Sequence, residues 1–489
     1  MRRKTLSKAE FEKLLPALRD QLLSAQSQLQ KSKAFGLAVI LTGMPTAGRS
    51  EVVNQFLEWL DPKHIKVHAL EKLRRLARTR PDMWRYWITL PARGEIAIYF
   101  TGWYEDYLRL AQTAPKKARR HEARIFHRIR QLEAMLPLDR VRVLKLHLQV
   151  SEKTAAKRLK ELRASKLTRW RVTREERWGV KHFDRVREAA HRSMRATADE
   201  NSAWHMIDGT DPQLRSFAAG TILLEELNEG LKAAAMPQRW PHAAATGKKR
   251  SAGQLFPSHQ EGPSLEEKPY KTELAKLQGR FAMLTRRDDF AKHAAVFAFE
   301  GMDAAGKGGA IRRVTAALDA RQYDVVPISA PSPEEAAHPY LWRFWRNVPD
   351  RGEIAIFDRT WYGRVLVERV RDLTPPADWR RAYDEIREFE LQLAEHGTVV
   401  HKFWLVVSPE EQLKRFKERD DDPLKRYKVD PEDWANRRFY DAYQTAAHEM
   451  IEHTHTDHAP WTVVEADDKR YARLKVLSTI CEPLERRLK

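Results

Sequence analysis

Residues 295–309 read AVFAFEGMDAAGKGG, an apolar run that leads directly into a glycine-rich turn. Gly301, Gly306 and Lys307 have the G-x-x-x-x-G-K spacing of a phosphate-binding loop, in which backbone N–H groups and a lysine ammonium surround a phosphate. The apolar run predicts a buried strand, and a helix that begins near Lys307 would direct its positive dipole end toward the same anion. A glycine-rich turn without a phosphate is the alternative, which this strand-turn-helix context disfavours. The loop residues predicted to line the phosphate are Gly301, Ala304, Ala305, Gly306, Gly308 and Gly309.

The predicted loop lacks the serine or threonine that usually follows the lysine and binds Mg²⁺, because Gly308 stands there. Magnesium would therefore need other oxygen ligands. Asp303 lies inside the loop, and Asp358 ends the apolar run 354–357, so both should lie at the ligand crevice of a doubly wound sheet. A surface carboxylate is the alternative for Asp358. The cationic and aromatic neighbours that favour a site are Arg359, Trp361, Tyr362 and Arg364.

A basic segment follows a predicted strand at 403–407 and a helix. Its carboxylates and Pro423 are expected to break the helix and to leave a mobile lid, which supplies cations to the transferred phosphoryl group and excludes water. A solvated helix face is the alternative. The cations of this segment are Arg415, Lys417, Arg419, Lys425, Arg426 and Lys428.

The chain contains the same pattern twice. PARGEIAIYFTGWY at 91–104 matches PDRGEIAIFDRTWY at 349–362, and GMPTAGRS at 43–50 matches GMDAAGKG at 301–308. In both copies apolar runs of strand length alternate with helical patterns, which predicts an α/β fold with a parallel sheet between two layers of helices. Residues 232–268, rich in Pro, Gly, Ser and Ala, are predicted to be a linker.

These motifs resemble the polyphosphate kinase 2 family. The segments that carry the resemblance are GMDAAGKGGAI, YLWRFW, FDRTWYGRVLVERV and RDDDPLKRYK, and the fused pair of domains is similar to the polyphosphate:AMP phosphotransferases of that family. The resemblance implies tandem thymidylate kinase-like P-loop domains of three αβα layers with a helical lid. It also implies Mg²⁺ dependence and transfer of the terminal phosphoryl group of inorganic polyphosphate to AMP to give ADP.

The resemblance also implies roles for individual residues. Asp303 would orient the acceptor phosphate and the metal, Lys307 would bind phosphate, and Asp358 would be the second metal ligand. The implied catalytic residues are Asp303, Lys307, Asp358, Arg359 and Arg419, and further phosphate or nucleotide contacts are expected from Arg364, Lys425 and Lys428.

The first copy lacks this chemistry. Phe100 cannot bind a metal, and Pro45 removes a carboxylate from the loop. We therefore predict that residues 1–231 are a folded but inactive copy and that residues 269–489 are the catalytic domain. Position by position, Asp303, Lys307, Asp358, Arg359 and Lys425 correspond to Pro45, Arg49, Phe100, Thr101 and Thr168.

The positive charge of the chain lies in its first half. The formal net charge is +20, and residues 1–250 contain 50 Lys or Arg against 27 Asp or Glu, whereas residues 251–489 contain 38 against 41. Such a field attracts polyanions. The basic stretch from Lys116 to Arg130 is therefore either a docking surface for polyphosphate or a solvated helix face.

Three other functions are compatible with these residues. In the first, the acceptor is ADP, GDP or another nucleotide instead of AMP. In the second, the donor is ATP instead of polyphosphate. In the third, the basic half binds nucleic acid and the protein is not an enzyme. No specific nucleic acid partner is expected, because aromatic residues do not alternate with the basic stretch and no base-reading motif occurs.

Cysteine usage and hydropathy exclude several further classes of protein. Cys481 is the only cysteine, which excludes an intramolecular disulfide and a cysteine zinc cluster. No apolar run approaches the length of a membrane span, so we expect a cytoplasmic protein without membrane partners. A homo-oligomer is compatible with the sequence.

Overall fold

The computed structural model describes residues 5–69, 77–198, 202–235, 263–422, 434 and 436–488. These residues form two compact units. The first holds the described residues up to 75 and those of 85–238 and 331–343; the second holds those of 76–84, 239–330 and 344–489. The sequence did not indicate that 331–343 belong with the first unit and 76–84 with the second.

The first unit contains a parallel sheet in the order β2-β3-β1-β4-β5. Its strands are β1 (Gly36–Gly43), β2 (Ile65–His68), β3 (Ile96–Phe100), β4 (Val141–Gln149) and β5 (Trp204–Asp208). The helices of this half of the chain are α1 (Lys8–Ser32), α2 (Arg49–Trp59), α3 (Trp84–Trp87), α4 (Glu105–Thr113), α5 (Pro115–Leu138), α6 (Glu152–Ala164), α7 (Arg174–Lys181), α8 (Phe183–Ala196) and α9 (Pro212–Ala235). Leu22 of α1, Val39 of β1, Phe56 of α2 and Leu223 of α9 belong to one buried cluster, which joins helices to the central strand.

The second unit repeats this topology, with its parallel strands in the order β7-β8-β6-β9-β10. Its strands are β6 (Ala294–Gly301), β7 (Tyr323–Pro327), β8 (Ile354–Asp358), β9 (Thr398–Val406) and β10 (Trp461–Glu465). The helices of this half of the chain are α10 (Glu267–Thr285), α11 (Lys307–Thr315), α12 (Pro333–Ala337), α13 (Trp342–Trp345), α14 (Val367–Val370), α15 (Pro376–Glu395), α16 (Pro409–Asp421), α17 (Tyr440–Thr454) and α18 (Lys469–Arg487). Two parallel sheets flanked by helices confirm the predicted three-layer α/β fold.

The predicted linker is bounded by helices that reach into it. Helix α9 continues to Ala235, and α10 begins at Glu267, so both ends of the predicted range 232–268 are helical. The residues between 236 and 262 lie outside the described part of the chain. Within that part, none of the helices combines the length and the apolar character needed to cross a membrane.

The basic stretch of the first copy forms the beginning of α5. Lys116, Lys117 and Arg120 are exposed, whereas Arg128 is buried. The exposed residues suit either a docking surface or a solvated helix face, so the docking hypothesis stays a prediction, and Arg128 is excluded from it.

A buried ion pair occurs at the same place in both units. In the second unit Lys402 of β9 lies 2.7 Å from Glu390 of α15, and both side chains are 0% exposed. Glu390 also accepts hydrogen bonds from Trp361 Nε1 (3.0 Å) and Tyr362 Oη (2.7 Å). Because Trp361 and Tyr362 follow Asp358 by a few residues, the pair holds the turn after β8 in place. The first unit repeats it with Lys145, Glu133, Trp103 and Tyr104.

Candidate active site

The loop after β6 needs glycine at two positions. Gly301 has a φ of +150°, and a Cβ there would lie 2.4 Å from the carbonyl oxygen of Leu405. Gly306, the residue before α11, has a φ of +98°, in the left-handed region that favours glycine. The backbone therefore turns sharply from strand to helix, as predicted, and the N-terminus of α11 faces the end of the sheet.

A cavity of about 630 Å³ lies in front of this loop. It brings together Lys307, Asp358, Arg359 and Arg419. The loop residues that line it are Ala304, Ala305, Gly306, Gly308 and Gly309. Its other lining residues were not predicted from the sequence; they are Arg312, Arg313, Pro327, Ile328 and Arg473. Arg312 and Arg313 have a local signal, since they follow Gly308 and Gly309 by about one helical turn.

Lys307 folds back over the loop. Its Nζ donates to the carbonyl oxygens of Gly301 (2.8 Å) and Met302 (3.3 Å). The ammonium therefore stays at the loop, where a phosphate oxygen can replace these carbonyls as its acceptor.

Asp303 lies at the edge of the cavity and is not one of the residues that line it. Its carboxylate is 3.4 Å from Arg359 Nη2 and accepts a hydrogen bond from Asn436 Nδ2 (3.2 Å). Its carbonyl oxygen accepts from Gln412 Nε2 (2.9 Å). The structure thus connects Asp303 to the cavity through Arg359, and Asn436 and Gln412 are contacts that the sequence did not indicate.

The two predicted metal ligands have side chains of a type that binds magnesium. Asp303 and Asp358 offer carboxylate oxygens, and Mg²⁺ commonly takes one or two protein carboxylates together with water and substrate phosphates. No cluster of three or more His, Cys, Asp or Glu residues suited to a metal ion occurs among the described residues. A magnesium ion at this loop would therefore depend on the substrate for part of its coordination.

Arg415 is not a lid cation, contrary to the prediction. It is 2% exposed, and it donates to the carbonyl oxygens of Ala304 (2.9 Å) and Ala466 (2.7 Å). The first unit repeats this contact, since Arg158 donates to the carbonyl oxygens of Thr46 (3.1 Å) and Gly209 (2.8 Å). Arg415 therefore braces the loop against the end of the sheet.

The predicted helix break lies where the sequence placed it. Helix α16 ends at Asp421, and Asp422 is its C-cap, immediately before Pro423 in the sequence. Lys425 and Lys428, predicted as lid cations, lie outside the described residues together with Arg426 and most of the segment that follows.

Arg364 is not brought to the cavity. Its Nε lies 2.8 Å from Glu368, and its Nη1 donates to Thr374 Oγ1 (3.4 Å). Its predicted contact with phosphate or nucleotide therefore has no support in this geometry.

Glu300 is a buried carboxylate that was not predicted from the sequence. One of its oxygens accepts from the backbone N–H (2.7 Å) and the hydroxyl (2.8 Å) of Thr360. Thr360 follows Arg359, whose φ of +62° is unusual for a residue with a side chain. Glu300 therefore holds the turn that presents Arg359. Burial raises the pKa of Glu300 to about 7, although Lys307 favours the charged form.

The raised pKa predicts a specific pH dependence of stability. The ordinary pKa is 4.5, so between about pH 4.5 and 7 the folded state binds more protons at Glu300 than the unfolded state, and this site makes stability fall as the pH rises. Glu300→Gln should remove up to about 1.4 kcal/mol per pH unit of that slope, because it removes one titrating group. Urea unfolding of both proteins at pH 5, 6 and 7 measures it; parallel curves for the two proteins would contradict the prediction.

The first unit keeps the conformation of the loop. Thr46, Gly48 and Thr101 have φ angles of +59°, +96° and +68°. The equivalent residues of the second unit, Ala304, Gly306 and Arg359, have φ angles of +61°, +98° and +62°. The backbone of the phosphate loop is therefore retained where the charged residues were lost.

Side chains of the first unit occupy its own loop. Glu176 of α7 accepts a hydrogen bond from the backbone N–H of Thr46 (2.8 Å), as a phosphate oxygen would. Arg215 is 5% exposed and donates to the carbonyl oxygen of Ala47 (3.1 Å). Its guanidinium covers Gly48 so closely that a Cβ there would lie 1.9 Å from Arg215 Nη1.

Comparison with known proteins agrees with this geometry. The family model described as polyphosphate kinase 2 (PPK2) matches residues 5–235 and 264–489. A polyphosphate:AMP phosphotransferase of Pseudomonas aeruginosa is 41% identical over 484 residues, which are 98% of this chain and 97% of that protein. Another from Pseudomonas syringae pv. tomato is 41% identical over 97% of this chain and 95% of its own length. A crystal structure described as polyphosphate kinase 2 from Pseudomonas aeruginosa covers 100% of this chain and 98% of its own, with 39% identity and a TM-score of 0.85. The resemblance inferred from the motifs is confirmed, and the chain belongs to the polyphosphate kinase 2 family.

Proposed function

We propose that this chain is a polyphosphate:AMP phosphotransferase, which transfers the terminal phosphoryl group of inorganic polyphosphate to AMP and forms ADP. Relatives that match nearly the whole chain carry this name. The observation that carries the proposal is the cavity in which the loop of the second unit meets Lys307, Asp358, Arg359 and Arg419. With Arg312, Arg313 and Arg473, six cations and one carboxylate line this cavity beside the backbone N–H groups of the loop, which suits a phosphoryl group and its neighbours.

The transfer needs positioning and charge neutralisation and no covalent enzyme intermediate. A phosphate oxygen of AMP attacks the terminal phosphorus of the polymer, the bond from that phosphorus to the next bridging oxygen breaks, and the polymer leaves one phosphate shorter. Loop N–H groups and Lys307 hold the transferred group, while Arg359 and Arg419 stabilise the charge that spreads over its oxygens. Glu300 keeps Arg359 in position through Thr360.

Magnesium is part of the proposal. Asp303 and Asp358 are the residues that would hold it, and the ion when bound supplies charge neutralisation at the phosphate oxygens. Asp303 would then exchange its contact with Arg359 for the metal, which frees the guanidinium for phosphate.

An acceptor panel tests this function. The protein is incubated with Mg²⁺, long-chain polyphosphate and AMP, ADP, GMP or GDP in turn, without ATP, and products are separated by chromatography. ADP formed from AMP supports the proposal. Turnover of only the diphosphates would identify a polyphosphate kinase with another acceptor, and turnover only when ATP is added would identify an ATP-dependent kinase. No transfer to any nucleotide from either donor would leave nucleic-acid binding as the remaining hypothesis.

We also propose that residues 1–231 are catalytically inactive. Phe100 and Pro45 replace the two carboxylates. Support comes from Glu176 and Arg215, which occupy the loop that would have to bind phosphate.

The equivalent loop positions give a matched pair of variants. Lys307→Met should lower kcat about 100-fold, because it removes a cation aimed at the transferred phosphoryl group. Arg49→Met, at the same position of the first unit, should change kcat by less than about twofold, since that loop is predicted not to turn over. Steady-state kinetics with AMP and polyphosphate measure both. Similar losses in the two variants would show that the first loop also contributes to transfer.

A further inference from the structure

We propose that Asn436 is a positioning residue of the transfer reaction, which holds one oxygen of the Asp303 carboxylate and so directs the other toward Arg359 and the substrate phosphates. The inference deepens the function proposed above and rests on it. Asn436 Nδ2 donates to Asp303 Oδ2 (3.2 Å), whereas Asp303 Oδ1 lies 3.4 Å from Arg359 Nη2. Arg359 lines the cavity. The two oxygens of this carboxylate therefore have different partners, and only one of them faces the site.

A second contact sets the orientation of the Asn436 amide. Arg371 Nη1 donates to Asn436 Oδ1 (2.6 Å). Because a guanidinium only donates hydrogen bonds, the amide oxygen must face Arg371, which leaves the amide nitrogen to face Asp303. The terminal torsion of an aspartate is broad, and a hydrogen bond to an ionised oxygen is one of the stronger kinds. Asn436 is therefore placed to restrict the rotation of the Asp303 carboxylate.

The residue after Asn436 acts on the main chain of Asp303. Arg437 Nη1 donates to Gln412 Oε1 (3.3 Å) and to the carbonyl oxygen of Pro409 (3.1 Å). With its amide oxygen accepting from Arg437, Gln412 directs its Nε2 toward the carbonyl oxygen of Asp303 (2.9 Å). Two consecutive residues before α17 thus reach the side chain and the main chain of Asp303. We refer to Gln412, Asn436 and Arg437 as the Asp303 clamp.

The internal repeat identifies the equivalent positions of the first unit. Thr197 and Thr454 each accept a hydrogen bond from the lysine of the buried ion pair, so they are equivalent and set an offset of 257 residues. The same offset relates Arg158 to Arg415, which make equivalent contacts with their loops. At this offset the first unit has Ala155, Gly179 and Val180 at the positions of Gln412, Asn436 and Arg437.

The first unit has lost the Asp303 clamp together with the aspartate. Pro45 stands at the position of Asp303, and a Cβ at Gly179 would lie 2.8 Å from Pro45 Cγ. The two positions therefore lie against each other in both units, although neither side chain of the first unit can form a hydrogen bond. The loop contact of Arg158 and the buried ion pair of Lys145 are retained, and so are the φ angles of the loop. Since the loop keeps its conformation without the clamp, we infer that the clamp serves the carboxylate.

Steady-state kinetics of Asn436→Leu test the inference. The substitution keeps the approximate size of the side chain and removes both of its hydrogen bonds, so kcat should fall about 10- to 100-fold, as is typical when a residue that orients a ligand carboxylate is lost. The KM values for AMP and polyphosphate at saturating Mg²⁺ should change by less than about threefold, because Asn436 is not among the described residues that line the cavity.

Gln444→Met is the matched control for this variant. It removes another amide from the same part of the chain, one that donates to Tyr440 Oη (3.3 Å) within α17. We expect kcat to stay within about twofold of the unmodified protein.

A double-variant comparison separates positioning from a general structural effect. In the Asp303→Ala background, Asn436→Leu should lower kcat by less than about a further twofold, because no carboxylate is left to orient. The contact itself is measured in the metal-free protein without substrates. There, urea unfolding of the unmodified protein, the two single variants and the double variant should show the two substitutions coupled by about fivefold or more in the unfolding constant.

Should Asn436→Leu unfold, Asn436→Gly takes its place, because glycine is the residue of the first unit at this position. An unchanged kcat in the folded variant, or an equal loss of kcat with and without the Asp303 carboxylate, would overturn the inference. Failure of the proposed function looks different. The unmodified protein would then form no ADP from polyphosphate and AMP, while the coupling between Asn436 and Asp303 in the unfolding constant would persist.

Discussion

Asp358→Asn is expected to lower kcat about 1,000-fold while the protein stays folded. The substitution keeps the shape of the side chain and removes a negative charge that would hold magnesium beside the transferred phosphoryl group, an electrostatic term that ordinarily contributes several kcal/mol to such reactions. Asp358 lies at the end of β8, in the wall of the cavity of about 630 Å³. It is the only carboxylate among the described residues that line this cavity, so no other carboxylate of the wall can take its place. Initial rates with saturating AMP and polyphosphate at several magnesium concentrations measure the effect.

A carboxylate on the neighbouring strand provides the control. Asp324 of β7 is exposed and does not line this cavity, so Asp324→Asn should retain kcat within about twofold. Equal activity of Asp358→Asn and the unmodified protein would show that this carboxylate does not hold the metal, and would leave Asp303 as the remaining ligand of the proposed pair.

Lys402→Met should destabilise the second unit by about 3–5 kcal/mol, because it leaves the carboxylate of Glu390 buried without its cation. Lys402 Nζ also donates to the carbonyl oxygen of Thr454 (2.7 Å) and to Tyr362 Oη (2.9 Å), so three contacts are lost together. Urea unfolding followed by tryptophan fluorescence measures the loss in the transition that belongs to the second unit.

The equivalent buried ion pair of the first unit allows a parallel measurement of stability. Lys145→Met should cost the first unit a comparable amount, since Lys145 lies 2.8 Å from Glu133 with 0% and 5% of the two side chains exposed. The double variant Lys402→Met, Glu390→Leu should recover part of the loss, because no buried charge is then left alone. A single variant as stable as the unmodified protein would contradict this account.

The fold could be predicted because its signals are local and occur twice. A buried strand, a glycine turn and a helix are read from fifteen consecutive residues at 295–309, and the copy at 37–50 repeats the order. The same locality explains why Lys307, Asp358 and the lining glycines 306, 308 and 309 could be predicted, whereas Gly301 does not line the cavity. They lie within or next to the motifs that form the cavity.

The remaining site residues depend on contacts between distant parts of the chain. Arg473 comes from the C-terminal helix and Ile328 from the end of β7, and neither stands in a pattern that points to phosphate. Arg415 belongs to a basic run in sequence, yet its burial against the loop carbonyls follows only from the packing of α16. Arg364 was predicted to contact phosphate or nucleotide because it lies close to Asp358 in sequence, yet it does not line the cavity.

The occupied loop of the first unit has a consequence for any reactivation of that unit. Restoring lysine at Arg49 and aspartate at Phe100 would not recreate a donor pocket, because Glu176 and Arg215 would still compete for the amides and the space that a polymer end requires. On the proposal that this half is inactive, regaining transfer would require changes at Arg49, Phe100, Glu176 and Arg215 together, so a single reversion is not expected to restore it.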